Sequence, residues 1–190
     1  MQETSKSLLL RAGAGDGVAW ERLVGLYQPM IRAWLLRHLV HSQEADDLTQ
    51  DVLAVVVRDL ARFAHAGRAG SFRGWLRTIT VNRAREFWRT GRCRPRAGDF
   101  GEVLDQLADP DSPLTATWDK EHDAHVLRRV LGLLESEFEA NTVRAFRRLV
   151  FDGQKAADVA AELNMTLAAI YGAKSRVLQR LRQEAEGLID

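Results

Sequence analysis

Cysteine is almost missing: Cys93 stands alone among 190 residues, so no internal disulfide can staple the fold. No apolar run approaches the ~20 residues that span a bilayer. Residues 1–10 lack the basic segment, long apolar stretch and cleavage site of a secretory leader. These absences favour a cytoplasmic protein with no membrane insertion. Two kinds of catalytic signature are missing too, a phosphate-cradling glycine loop and a nucleophile motif. His38 with His41, and His122 with His125, have i, i+3 spacing, but neither pair has an obvious third ligand. No metal or other cofactor is expected.

Charge of one sign is scarce only in the total. The formal net charge is +1, yet residues 68–96 hold nine arginines and a single acid, Glu86. A balanced sum therefore hides a basic block suited to a polyanion. Hydrophobic residues make up 46% and charged residues 28%, which is ordinary for a globular chain.

The apolar pattern is helical nearly throughout, with no convincing period-two run, so an all-α fold is expected. Residues 7–40 read as helix, with Asp16 as an N-cap and Pro29 imposing a kink or break near Gln28. A second helix starts near Ser42, with Ala45, Leu48, Val52, Val56 and Leu60 on one face. A glycine-bearing loop over 64–70 precedes a third helix, which opens at Ser71 and ends near Arg89. Residues 90–118 contain Pro95, Pro110 and Pro113 and little apolar periodicity, which reads as an interdomain linker. Helical spacing returns from Glu121, and two last helices are expected at 156–163 and 167–184. The domains expected are 1–90 and 121–190, joined by a flexible linker over 91–120.

Three constellations carry chemistry. At the C-terminal end, a short helix, the turn Asn164-Met165-Thr166 and a longer helix have helix-turn-helix spacing. Thr166 would cap the second helix, which would offer Ala168, Tyr171, Lys174, Ser175 and Arg176 to a major groove. The same spacing also fits a plain helical hairpin with a solvated polar face. The basic block interleaves arginines with Phe72, Trp75, Phe87 and Trp88. Arginines neutralise phosphates and exposed aromatics offer stacking faces, a combination suited to melted or single-stranded DNA. At least one of Phe72 and Trp75 is expected in the core instead. Finally, Glu44, Asp46, Asp47, Gln50 and Asp51 open the second helix. Acids favour a first helical turn, and without a third catalytic partner they fit a docking patch better than an acid–base site.

Taken together these residues resemble the extracytoplasmic-function group of sigma-70 family sigma factors. The run 19–23 (AWERL), with Tyr27 and Pro29, resembles the start of that group's region 2. Residues 44–52 (EADDLTQDV) look like its acidic-Leu-x-Gln-acidic segment, and 70–76 (GSFRGWL) like its Gly-Ser-Phe-Arg-x-Trp-Leu segment. Asn82 stands where the group commonly has asparagine, and the C-terminal hairpin is similar to region 4. Tyr171-Gly172-Ala173 depart from a Lys-Ser-Arg run common there, which recurs as Lys174-Ser175-Arg176.

The resemblance implies partners and roles. Core RNA polymerase would dock on Asp47, Gln50 and Asp51. The melted −10 element would meet Arg68, Ser71, Phe72, Arg73, Trp75, Arg77, Asn82 and Arg83. Duplex −35 DNA would meet Thr166, Ala168, Tyr171, Lys174, Ser175 and Arg176, and an anti-sigma factor is a further candidate partner. Such a protein would be no enzyme. A stand-alone helix-turn-helix regulator is the alternative, and a helical nuclease using Asp46, Asp47 and Asp51 a distant third. The regulator reading gives neither the basic-aromatic block nor the acidic segment a role.

Overall fold

A computed structural model describes residues 8–63, 71–92 and 100–189. The 64–70 loop with Arg68, the Ser71 side chain and Cys93 therefore lie outside the described residues. Helices α1 (Leu8–Gly13), α2 (Gly17–His38), α3 (Ser42–Asp59), α4 (Ser71–Arg89) and α5 (Phe100–Ala108) come first. They are followed by α6 (Pro113–Leu134), α7 (Ala140–Val150), α8 (Ala156–Leu163) and α9 (Leu167–Glu184). Single 3-10 turns, Leu60–Arg62 and Glu135–Glu137, follow α3 and α6. The fold is all-α, with no strand among the described residues beyond one isolated bridge between Glu186 and Ile189. The chain divides into two compact units, Ser7–Val126 with Glu186–Asp190 and Leu127–Ala185, the division falling within α6.

Local signals explain most boundaries. The Asp16 carboxylate accepts from the backbone N–H groups of Val18 and Ala19 at 3.0 and 3.2 Å, satisfying donors that open α2. Pro29 does not break that helix, which runs unbroken from Gly17 to His38. A proline inside a helix costs about 3 kcal/mol. Leu23, Leu26, Tyr27, Met30, Ile31, Trp34 and Leu35 are all buried on either side of it, and their burial more than offsets that cost.

The expected flexible linker is the main correction. Most of its described residues form α5 and the first part of α6, and both belong to the N-terminal unit. Pro113 opens a helix: it sits at the first helical position, where its missing N–H costs nothing. The Ser112 hydroxyl caps the helix by accepting from the Thr115 N–H at 3.0 Å and donates to the Gln106 carbonyl at 2.5 Å. Phe100, Leu104 and Leu107 of α5 are buried, with Phe100 tilted on Trp88 of α4 at 5.4 Å.

Trp118 of α6 is the deepest evidence for this packing. It is 0% exposed and meets Trp34 of α2 edge-on, ring centroids 5.0 Å apart. Trp118→Ala should therefore destabilise the N-terminal unit by about 3–5 kcal/mol, read from urea unfolding of the full chain. A change below about 0.5 kcal/mol, the range of an exposed substitution, would return residues 113–126 to a linker.

Candidate nucleic-acid interface

Helix α4 carries most of the basic-aromatic block, and the structure sorts its residues into two groups. Phe72 is wholly buried, its ring 5.3 Å from Tyr27, 5.7 Å from Phe63 and 5.6 Å from Trp75. It is a core residue, which corrects its expected place on a strand-binding face. Trp75 is half-buried with its ring 4.7 Å from that of Phe63. Helical spacing put Phe72 and Trp75 on neighbouring faces but could not say which faced inward.

Arg73 and Arg77 also turn toward the protein. The Arg73 guanidinium lies 3.1 Å from Asp119 and 2.7 Å from Asp123, and Arg77 lies 3.2 Å from Asp119. Both arginine side chains are only about 15% exposed. Asp123 also accepts from His122 Nδ1 at 3.0 Å. A carboxylate can only accept, so Nδ1 donates, and Nε2 lies within hydrogen-bond distance of the Tyr27 hydroxyl, 3.1 Å away. His125 Nε2 donates to the Leu26 carbonyl at 2.7 Å. His122 and His125 are thus engaged between α6 and α2. Burial, and then the Asp123 charge, push the Tyr27 hydroxyl well above its ordinary pKa.

What remains exposed on α4 is a stripe at helical spacing: Thr78, Asn82, Arg85 and Arg89, flanked by Trp88. Arg83 is half-buried and pairs with Glu86 at 2.8 Å. Arg85 meets Asp105 of α5 at 2.7 Å. Arg85, Trp88 and Arg89 line one side of a cleft of about 500 Å³, with Gly101, Leu104 and Asp105 opposite. The 3–4 spacing of these positions was the signal available in the sequence. The cleft itself needs α5, whose residues fall in the segment that reads as linker in the sequence.

On α3, Asp47 and Gln50 are exposed and share a face that continues through Ala54 to Val57, itself 48% exposed. Asp51 is drawn to Arg92 at 3.0 Å, and Asp46 to Arg32 at 2.5 Å. The Arg32 hydrogen bond holds the Asp46 carboxyl below its usual pKa. Beside the acids the face is thus apolar toward its C-terminal end.

The C-terminal unit builds its hairpin on a small core of Ala145, Val159, Ala160, Ile170 and Ala173, to which Leu149, Ala156, Leu163 and Met165 add. Alanines let α7, α8 and α9 approach closely. Asn164 ends α8 in the left-handed region, φ 51°, where its N–H reaches the Ala160 and Ala161 carbonyls, and the Met165 N–H donates to Ala160 at 2.9 Å. The Thr166 hydroxyl accepts from the Ala169 N–H at 3.1 Å and opens α9. Thr166, Ala168, Tyr171, Ser175 and Arg176 are exposed and Lys174 is half-buried.

A family model described as sigma-70 region 2 matches residues 23–93. Over 158 residues the chain is 30% identical to RNA polymerase sigma-H factor of Pseudomonas aeruginosa, covering 80% of each chain. It is 28% identical over 178 residues to the probable RNA polymerase sigma factor RfaY of Xanthomonas campestris, covering 93% of this chain and 42% of that one. It is 28% identical over 142 residues to the ECF RNA polymerase sigma factor BldN of Streptomyces coelicolor, covering 75% of this chain and 53% of BldN. The chain belongs to the sigma-70 family of RNA polymerase sigma factors, within its extracytoplasmic-function group. It spans less than half of RfaY and about half of BldN. The region 2 match ends at residue 93, so α5 and the Arg73–Asp123 contact of α6 extend beyond it.

Arg73 offers a direct test of this geometry. Arg73→Ala leaves Asp119 and Asp123 without their shared cation and should cost about 1.5–3 kcal/mol at pH 7. Asp123 has a lowered pKa: burial alone would raise it, but hydrogen bonds from His122 and Arg73 outweigh burial. Its stabilising share is therefore present above the ordinary carboxylate range and lost as pH falls through the lower folded value. Without Arg73 that loss should begin at higher pH, which urea titrations between pH 7 and pH 3 would detect. Unchanged stability and acid sensitivity in Arg73→Ala would mean that Arg73 faces solvent.

Proposed function

We propose that this chain is a cytoplasmic, non-catalytic factor that docks on core RNA polymerase and directs it to promoters, where transcription starts. The observation that carries this reading is the pairing of two surfaces in one family member. One is the exposed Asp47–Gln50 face of α3, and the other is the capped α8–α9 hairpin with its cationic outer face. A duplex-only regulator would need the second and leave the first without a role.

In this mechanism Asp47 and Gln50, with Asp51 beside them, contact a basic surface of the polymerase, and Val57 extends the contact with apolar area. The α9 face reads duplex DNA at the −35 element: Lys174 and Arg176 meet phosphates while Ala168, Tyr171 and Ser175 lie nearer the base edges. Helix α4 takes the opened −10 strand along Asn82 and its neighbouring arginines, where a phosphate meets a cation and a splayed base gains a stacking partner. Arg68 and Ser71 complete that list as family-derived candidates. Arg73 and Arg77 act through position, by holding α4 against α6, and Trp75 packs on Phe63. An anti-sigma protein covering the α3 face would switch the factor off.

Charge reversal at both Asp47 and Asp51 tests the docking step. The doubly substituted chain should lose at least tenfold in affinity for core polymerase, and promoter-dependent run-off transcription with it, while its circular dichroism stays unchanged. Full affinity in a folded variant would remove the α3 face from the mechanism.

A further inference from the structure

Leu167 and Tyr171 are out of place on a polar helix face. Leu167 is 49% exposed and Tyr171 58% exposed, among the largest apolar exposures in the described chain. They lie at i and i+4 and so share one side of the first turns of α9. The C-terminal unit does not use them: Ala145, Val159, Ala160, Ile170 and Ala173 close its core without them. Their backbone is fixed nonetheless, because Thr166 caps the helix from the residue before Leu167.

Their setting favours one kind of occupant. Between Leu167 and Gln183, α9 carries Lys174, Arg176, Arg180 and Arg182 and no acid. Arg180 is held by Glu137 at 2.8 Å, and Glu162 of α8 is tied to Arg148. Lys174 and Arg176 are thus on hand for phosphates one turn along from Tyr171. Gly172 slims the helix about 100° around from Tyr171: a Cβ built there would meet only the Arg176 guanidinium, at 3.4 Å. A slim, cationic helix with two apolar side chains at its leading end complements a major groove. There the one apolar mark on a base edge is the thymine 5-methyl group. A leucine can form no hydrogen bond, so among base-edge features it can favour only that methyl.

We propose that Leu167 and Tyr171 are specificity residues that pack against thymine methyl groups in the duplex element read by α9. Lys174 and Arg176 supply affinity without discriminating sequence. The proposal rests on the promoter-binding reading above and names how that site chooses its sequence. Tyr171, where the family commonly has a lysine, contributes its ring face.

The test separates the proposal from the reading beneath it. The full chain, bound to bacterial core polymerase, is used to enrich duplexes from a random-sequence pool. The enriched upstream element is then resynthesised with uracil in place of each thymine in turn. At one or more positions uracil should weaken binding about fourfold, the effect of burying one methyl group. Leu167→Ala should bring that thymine-to-uracil ratio close to one, Tyr171→Phe should keep it, and Lys174→Ala should weaken both duplexes alike. Equal binding of thymine and uracil duplexes at every position overturns the proposal. So does a ratio unchanged in both Leu167→Ala and Tyr171→Ala, which would assign the apolar pair to a protein partner. If no duplex is enriched at all, the promoter-binding reading fails, and the proposal with it.

Discussion

The Arg73 guanidinium, held between Asp119 and Asp123, constrains the rest of the N-terminal unit. It joins α4 to α6 by charge, while Trp118 against Trp34 and the chain from Asp123 through His122 to Tyr27 join α6 to α2. With Arg73 and Arg77 committed inward, α4 can present to a nucleic acid only what is left, the stripe from Thr78 through Asn82 and Arg85 to Arg89. Residues that look interchangeable in a list of arginines thus divide into those that build the helix's seat and those that face outward.

Carboxylates divide in the same way. Asp119 and Asp123 are structural because α6 brings them against cations. Asp47 stands in the exposed turn of α3, where a carboxylate stays hydrated and can exchange water for a partner's cation at little cost. The C-terminal unit works on a smaller scale. Ala145, Ala160 and Ala173 stand in the core where α7, α8 and α9 meet, and two local devices set the geometry of the hairpin: Asn164 in the left-handed region and the Thr166 cap. The capped turn places Leu167 and Tyr171, both exposed, at the leading end of α9.

The sequence disclosed most where the signals were local. The bounds of α8 and α9 follow from Asn164, Thr166 and apolar spacing, all within a few residues of the ends they set. The all-α class follows from periodicity alone. What failed needed contacts between distant residues. Pro113 reads as a breaker in the sequence, although Ser112 before it and Thr115 after it spell an N-cap followed by a proline at the first helical position. Trp118 reads as a linker residue and His122 as part of the second domain, because their partners, Trp34 and Tyr27, lie some 84 and 95 positions away. Phe72 and Arg73 matched a family motif correctly, but a motif does not say which of its residues face inward.

Because α6 up to Val126 belongs to the N-terminal core, it fixes which face of α4 is free. Hydrogen–deuterium exchange on the full chain measures this without substitution. Amides of residues 117–126 should be protected as strongly as the core amides of α2 and α4, and should open together with them as denaturant is added. Exchange over 117–126 at the rate of an unfolded peptide, with α2 and α4 still protected, would contradict the account. It would release Arg73 and Arg77 to solvent.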